Sequence, residues 1–316
     1  MKIVYITGCL GFIGSYITKK CLDLGWVVYG VDKCTYAANE FLLTEFCSYK
    51  NFKFIKEDIK DLKELRDCDY VINTAAESHV GNSIINSQEF INTNIIGTKN
   101  LLDLIRFKPE NVNEKPIFLH FSTDEVYGDI KEGVHTEEDL LKPSNPYSAA
   151  KAAADMLVFA WARTYNLNYV IVRPTNNYGM RQYPEKLVPL TIKNLNRGKK
   201  IRLHNDGEPI RTWLHADDTA EAIIKIIESG SKNEIYNISG GFEQKNVSTV
   251  KKIIKEYFGT DEEWKKYIDF SYDRLGQDVR YALNDSKIRN LGWKPVRIFD
   301  EELPQIVNHY KSKIMW

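Results

Sequence analysis

Short apolar runs rich in β-branched and aromatic residues recur through the first half of the chain, at 2–7, 27–31, 52–55, 70–72, 117–121 and 169–172. Near-continuous runs of this kind suit strands covered on both faces, because a half-exposed strand would alternate polar and apolar positions. The stretches between them carry helical spacing. Long helices are predicted around 87–106 and 148–165, and on the second Ala149, Ala153, Met156, Leu157 and Ala160 form an apolar stripe. Such a stripe belongs to a core or, given its small residues, to a helix face that packs closely in a dimer. Strand and helix in alternation predict an α/β fold with a parallel sheet. Beyond Arg173 the texture changes, with Gly, Pro and Asn interrupting shorter elements. Helices are expected there at 186–197, 247–258 and 299–310, and strands near 201–204 and 235–238. A boundary near 175 follows, separating 1–175 from a smaller mixed α/β part at 176–316, with 210–230 returning to the first.

The turn after the first run holds Gly8, Gly11 and Gly14, flanked by Phe12 and Ile13. Glycines there allow a tight strand-to-helix turn and let backbone N–H groups approach a pyrophosphate at the helix N-terminus. The spacing is G-x-x-G-x-x-G, a variant of the usual dinucleotide fingerprint. The second run ends at Asp32, roughly 20 residues on, where a carboxylate binds both hydroxyls of an adenine ribose. It also repels a 2′-phosphate, which favours NAD over NADP. Lys33 and Thr35 follow it, Asp58 and Ile59 follow the third run, and Ala75 and Ala76 follow the fourth. All six are placed to contact the dinucleotide, and the fold class expected is a Rossmann-type doubly wound parallel sheet.

The chain has 316 residues and equal numbers of acidic and basic side chains, 43 of each, so bulk charge points to neither nucleic acid nor membrane. No apolar run is long enough to span a bilayer and no leader is evident, which predicts a soluble cytoplasmic protein. The five cysteines all precede residue 69 without a C-x-x-C pair, and the six histidines lack ligand spacing, so no metal is expected.

Thr123, Asp124 and Glu125 follow the fifth run, and Tyr147 and Lys151 lie four apart on the next helix. At that spacing Tyr147 and Lys151 share one face. A nearby ammonium and an oxidised nicotinamide should lower the tyrosine pKa, making Tyr147 a base for a sugar hydroxyl whose carbon yields hydride. Thr123 is suited to orient that hydroxyl. A ketone formed at C4 acidifies C5–H. One carboxylate then removes that proton while the other, held protonated by mutual repulsion, protonates a departing C6 hydroxyl. The residues alone do not say which acid does which.

These segments resemble the nucleotide-sugar 4,6-dehydratases, extended short-chain dehydrogenase/reductases typified by dTDP-glucose 4,6-dehydratase. The resemblance runs almost end to end, through 7–14, 32–36, 75–80, 122–128, 143–151, 173–179, 184–187, Arg211 with Trp213 and Leu214, and 291–295. It implies Asp124 as the acid at C6, Glu125 as the base at C5 and Tyr147 as the base at the C4 hydroxyl, assisted by Thr123 and Lys151. It further implies bound NAD, a homodimer, and Ser78, His79, Asn176, Lys186, Leu187, Arg211, Asn246 and Arg274 around a nucleotide sugar. The sequence departs from the family at Val80-Gly-Asn-Ser83, where relatives usually read Val-Asp-Arg-Ser, and at Gln277, often His. Loss of two charged side chains leaves room for a larger C2 substituent such as an acetamide. Thymine and uracil differ by one methyl group, about 1 kcal/mol of contact, and both remain open. Return of the C5 proton to the opposite face would add 5-epimerisation. Two other readings share the fold. A UDP-hexose 4-epimerase does not need the two acids, and a non-catalytic NAD-binding regulator would be free to lose Tyr147 or Lys151.

Overall fold

The structure is a computed structural model that describes residues 1–108, 115–272 and 278–312. The chain runs β1 (Ile3–Thr7), α1 (Phe12–Asp23), β2 (Val27–Asp32), α2 (Phe41–Cys47), β3 (Phe52–Lys56), β4 (Tyr70–Asn73), α3 (Val80–Ile85), α4 (Gln88–Phe90), a π segment (Ile91–Gly97) and α5 (Thr98–Arg106). It continues through β5 (Ile117–Phe121), a 3-10 turn (Asp124–Tyr127), α6 (Pro146–Tyr165), β6 (Tyr169–Pro174), β7 (Asn176–Tyr178), α7 (Leu187–Asn196), β8 (Ile201–His204), β9 (Ile210–His215) and α8 (Ala216–Ser229). The last elements are β10 (Glu234–Ile238), β11 (Phe242–Lys245), α9 (Asn246–Phe258), β12 (Ile268–Tyr272), α10 (Ser286–Arg289) and α11 (Phe299–Ser312).

Seven strands form one parallel sheet in the order β10-β6-β5-β4-β1-β2-β3. Its central strands are buried along their whole length, as their unbroken apolar runs require. Parallel registry brings the carboxyl ends of β1, β4, β5 and β6 level, with Thr7 beside Asn73, Asn73 beside His120 and Phe121 beside Val172. The turns that carry the candidate chemistry therefore leave the sheet along one edge, where open α/β sheets bind ligands.

Two features differ from the sequence pattern. The strand expected at 235–238 does not stay with the later elements: as β10 it pairs in parallel with β6 and closes one edge of the large sheet. Its partner is set by the β9–α8 crossover, and α8 packs through Ala220, Ile223 and Ile227 into the same core as Ile6, Ile17 and Cys21. Secondly, the helix expected over 87–106 is interrupted by the π segment. The widened turn points Thr93 and Asn94 inward, where Asn94 accepts from the Glu77 N–H (2.9 Å) and donates to the Glu77 carbonyl (3.0 Å). The loop after β4 is thereby fixed against the sheet. A second core, with Tyr178, Ile192, Trp213, Ile254, Phe299 and Ile306, holds α7, α9 and α11 together beside the three-stranded sheet β11-β9-β7. Among the described residues, no helix is long and apolar enough to cross a membrane.

Candidate active site

One cavity follows the carboxyl edge of the large sheet. Every residue assigned above to the dinucleotide lines it: Gly8, Gly11, Phe12, Ile13, Gly14, Asp32, Lys33, Thr35, Asp58, Ile59, Ala75, Ala76, Tyr147 and Lys151. Helix α1 begins at Gly11 without a side-chain cap, so its first-turn N–H groups are left for a ligand. Gly8 has φ +69°, and a Cβ there would stand 2.8 Å from the Ala75 nitrogen. At Gly14 a Cβ would lie 2.1 Å from the Gly8 carbonyl oxygen and 2.6 Å from Thr74 Oγ1. Gly14→Ala is accordingly expected to force the turn open and cost about 1–3 kcal/mol, weakening NAD binding at the same time. Thermal melting with and without NAD checks both effects.

Asp32 is fixed by two backbone donors, Leu10 N–H to Oδ2 (3.0 Å) and Cys34 N–H to Oδ1 (2.8 Å). Burial raises its pKa against those two bonds. Lys33 does not project as a free cation. Its Nζ stands 3.1 Å from Thr93 Oγ1, 3.5 Å from Asp58 Oδ2 and 3.7 Å from Glu77 Oε1. A ribose-binding carboxylate beside an already engaged lysine fits NAD.

At the other end the cavity is walled by Thr123, Asp124, Glu125, Tyr147 and Lys151. The strand-to-turn transition after β5 is set by Thr123, whose hydroxyl accepts from the Glu125 N–H (3.3 Å). Helix α6 is started firmly by Pro146 and a capping box in which Asn145 accepts from the Ser148 N–H (3.0 Å) and Ser148 Oγ accepts from the Asn145 N–H (3.2 Å). The cap reaches further: Asn145 Nδ2 donates to Glu125 Oε2 at 3.4 Å.

Asp124 is 2 % exposed, and its carboxyl pKa is pushed up to about 7, by burial first and by the adjacent Glu125 second. Thr123 Oγ1, 3.1 Å from Asp124 Oδ1, and the Arg211 charge act against that rise. Mutual repulsion of the two acids, expected from their adjacency, is thus the smaller cause. For Tyr147 the protein's own groups act in the opposite direction to the expected fall. Burial, then the Glu125 charge, raises the phenol pKa, and only a hydrogen bond from Thr123 lowers it. Lys151 Nζ donates to the Phe121 carbonyl, and burial brings its pKa down to about 8 while Asp155 opposes the fall.

Beneath this site lies a polar network absent from the sequence reading. Asp155 Oδ2 accepts from Arg173 Nη2 (2.9 Å), Arg173 Nε (3.1 Å) and Ser122 Oγ (3.1 Å). Arg173 Nη1 donates to Tyr127 Oη (2.7 Å), which donates to Asn237 Oδ1 (2.8 Å). His120, held neutral by burial, completes the layer 3.7 Å from Asp155 Oδ1. Asp155 follows Lys151 by one helical turn, so the spacing alone could have suggested the pair.

The residues assigned to the nucleotide sugar divide. Ser78, Asn176 and Lys186 line the cavity, with Lys186 Nζ donating to the Ser78 carbonyl at 2.7 Å across it. His79, Leu187, Arg211 and Asn246 are not on its wall. His79 caps α3, accepting from the Asn82 N–H at 3.1 Å, and Leu187 packs on the second core. The Arg211 guanidinium stacks 4.5 Å from the Tyr281 ring centre and donates to the Ile210 (2.7 Å) and Asp278 (3.2 Å) carbonyls. Asn246 opens α9, and among the described residues its Oδ1, like Asn176 Oδ1, is buried without a hydrogen-bond partner. Arg274 and Gln277 lie outside the described residues.

Comparison with known proteins agrees with this geometry. A family model described as GDP-mannose 4,6 dehydratase matches residues 5–306. The dTDP-glucose 4,6-dehydratase of Neisseria meningitidis serogroup B is 40% identical over 337 residues, covering 100% of this chain and 95% of that protein. The chain belongs to the nucleotide-sugar 4,6-dehydratases. Within this family of NAD-dependent enzymes, the low-salt glycan biosynthesis protein Agl12 of Haloferax volcanii is 39% identical over 313 residues, 97% of this chain and 98% of that one. DesIV, a dTDP-glucose 4,6-dehydratase from Streptomyces venezuelae solved with NAD bound, superposes with TM-score 0.91 at 37% identity, covering 99% of this chain and 97% of that one.

Proposed function

We propose that this dehydratase acts on a dTDP- or UDP-linked glucose or N-acetylglucosamine and yields the 4-keto-6-deoxy sugar. One observation carries the assignment of roles: Asp124, a buried acid whose pKa is pushed up to about 7, shares a cavity wall with Glu125 and Tyr147. A 4-epimerase has no use for such an acid. When bound, NAD supplies the acceptor for hydride from C4 and its later donor to C6.

The side chains supply the proton steps. Tyr147 takes the proton of the C4 hydroxyl, the hydrogen bond from Thr123 stabilising the phenolate that receives it. Glu125 takes the proton from C5, and Asp124 gives its own to the departing C6 oxygen, which leaves as water. Glu125 then returns a proton to C5. Tyr147 ends with one proton more and Asp124 with one fewer. The Thr123 hydroxyl, bonded to both, is placed to restore them. Ser78, Asn176 and Lys186 hold the sugar and its diphosphate, and His79, Leu187, Arg211 and Asn246 shape the surroundings.

Because Asp124 must be protonated to act, kcat/KM should fall as pH rises through about 7. In Asp124→Asn that limb should disappear from the residual activity. A pH–rate profile of both proteins checks the loss.

The substrate class is tested by incubating the enzyme with dTDP- and UDP-glucose and with their N-acetylglucosamine counterparts. Loss of charge at Gly81 and Asn82 supports a C2 acetamide, and faster turnover of UDP-glucose than of UDP-N-acetylglucosamine would reject it. Proton NMR of the product also reads 5-epimerisation. The five unpaired cysteines suit the cytoplasm. Exposed Ile91, Ile96 and Met156, on the π segment and α6, support a homodimer through that face, which sedimentation checks.

A further inference from the structure

The base assigned to C5 has a second polar neighbour that does not line the substrate cavity. Tyr281 Oη stands 3.5 Å from Glu125 Oε2, and the same hydroxyl donates to Asp278 Oδ2. Ser144 Oγ donates to that carboxylate oxygen too. Asp278 and Ser144 line a separate, open cavity that also exposes Asp129, His135, Glu138 and Asp139, and it shares no lining residue with the substrate cavity. Tyr281 is 3 % exposed and belongs to neither wall, and its ring is clamped by the Arg211 guanidinium. A single buried hydroxyl thus joins Glu125 through the protein to Asp278, a carboxylate 6 % exposed on the wall of the open second cavity.

We propose that Tyr281 and Asp278 form a proton exit for Glu125, so that the hydrogen taken from C5 exchanges with solvent while the sugar still fills the substrate cavity. The inference rests on Glu125 being the C5 base. The step balances without ionising the phenol. Protonated Glu125 gives its proton to Tyr281 Oη as Tyr281 gives its own to the Asp278 carboxylate, and Asp278 releases it to water in the second cavity. The reverse sequence delivers a solvent proton to C5. Tyr281 must stay a neutral relay, and its burial beside Glu125 keeps the phenol protonated. Catalytic hydrogen bonds of this length commonly tighten when substrate binds.

The test is turnover in D2O of a nucleotide sugar carrying ordinary hydrogen at C5, with deuterium at C5 of the product read by NMR. Glu125 starts each turnover as carboxylate, so deuterium at C5 reports exchange during the lifetime of the ketone. The parent enzyme should incorporate deuterium at C5. Tyr281→Phe, which keeps the ring under Arg211, and Asp278→Asn, which keeps an acceptor for Tyr281, should each still make product. In both, C5 deuterium should fall at least about tenfold, the scale of a missing proton-transfer partner. A parent product without deuterium at C5, or the parental deuterium content in both variants, would overturn the exit. Should Tyr281→Phe not fold, Asp278→Asn alone decides. Glu125→Gln separates the two ideas: parental turnover in that variant sinks the assignment of the base, whereas blocked turnover with unchanged exchange in the other two sinks only the exit.

Discussion

Glu125→Gln is expected to stop the reaction after the first oxidation, with kcat falling about 10²–10⁴-fold and the absorbance of reduced nicotinamide building up when substrate is added. The substitution is nearly isosteric. Its amide can keep the contacts to Asn145 and Tyr281, 3.4 and 3.5 Å away, so the turn and helix α6 should hold their places. What it cannot do is accept a proton from C5. Tyr147 is untouched, and the C4 hydroxyl can still lose its proton. Rapid-mixing absorbance with product analysis separates the two half-reactions. Product at the parental rate would remove Glu125 from its role. Tyr147→Phe should give the opposite trace, with no reduced nicotinamide at any time.

The largest effect on stability is expected at Arg173, a guanidinium 1 % exposed. It supplies two of the donors to Asp155 Oδ2, and its second arm orients Tyr127. Arg173→Leu leaves a buried carboxylate facing Ser122 and a neutral His120, which should cost about 3–5 kcal/mol in denaturant unfolding. Burial already raises the Asp155 pKa with Arg173 present, and loss of the cation must raise it further. A raised folded-state pKa favours the folded form at low pH. The deficit should therefore be smallest below the ordinary aspartate pKa and widen as pH rises through the raised value. A deficit that does not change with pH would show that lost packing, not the stranded charge, dominates.

Those two sites mark where the sequence was and was not readable. The glycine turn, Asp32, the acids after β5 and the Tyr147/Lys151 spacing are local patterns whose chemistry depends on neighbours a few residues away. Each reaches the cavity wall. Arg173 and Asp155 are 18 residues apart, and Tyr281 is 156 from Glu125. Such pairs are made by the crossing of strands and helices and leave no periodic trace. The π segment escaped notice for a related reason: its apolar spacing still resembles a helix, and the widened turn shows itself only in the folded chain, where it sets Asn94 against the Glu77 backbone. Arg211 has contacts that its motif did not foretell. The resemblance set it beside a nucleotide sugar; in the fold two of its N–H groups are bonded to the Ile210 and Asp278 carbonyls, and its charge restrains Asp124. The ammonium of Lys151 was likewise expected at the phenol and is tied to the end of β5.

The late arrival of β10 has a consequence for biosynthesis. Until Glu234–Ile238 leaves the ribosome, β6, already paired with β5 on one side, presents Val170, Ile171 and Val172 along a bare second edge whose backbone groups await β10. A nascent chain halted before that point carries the glycine turn, both acids and the tyrosine, and also a sticky border that invites association with other unfinished chains. Fragments ending near 175 should accordingly precipitate, while those extended past 238 gain the cover that keeps them apart.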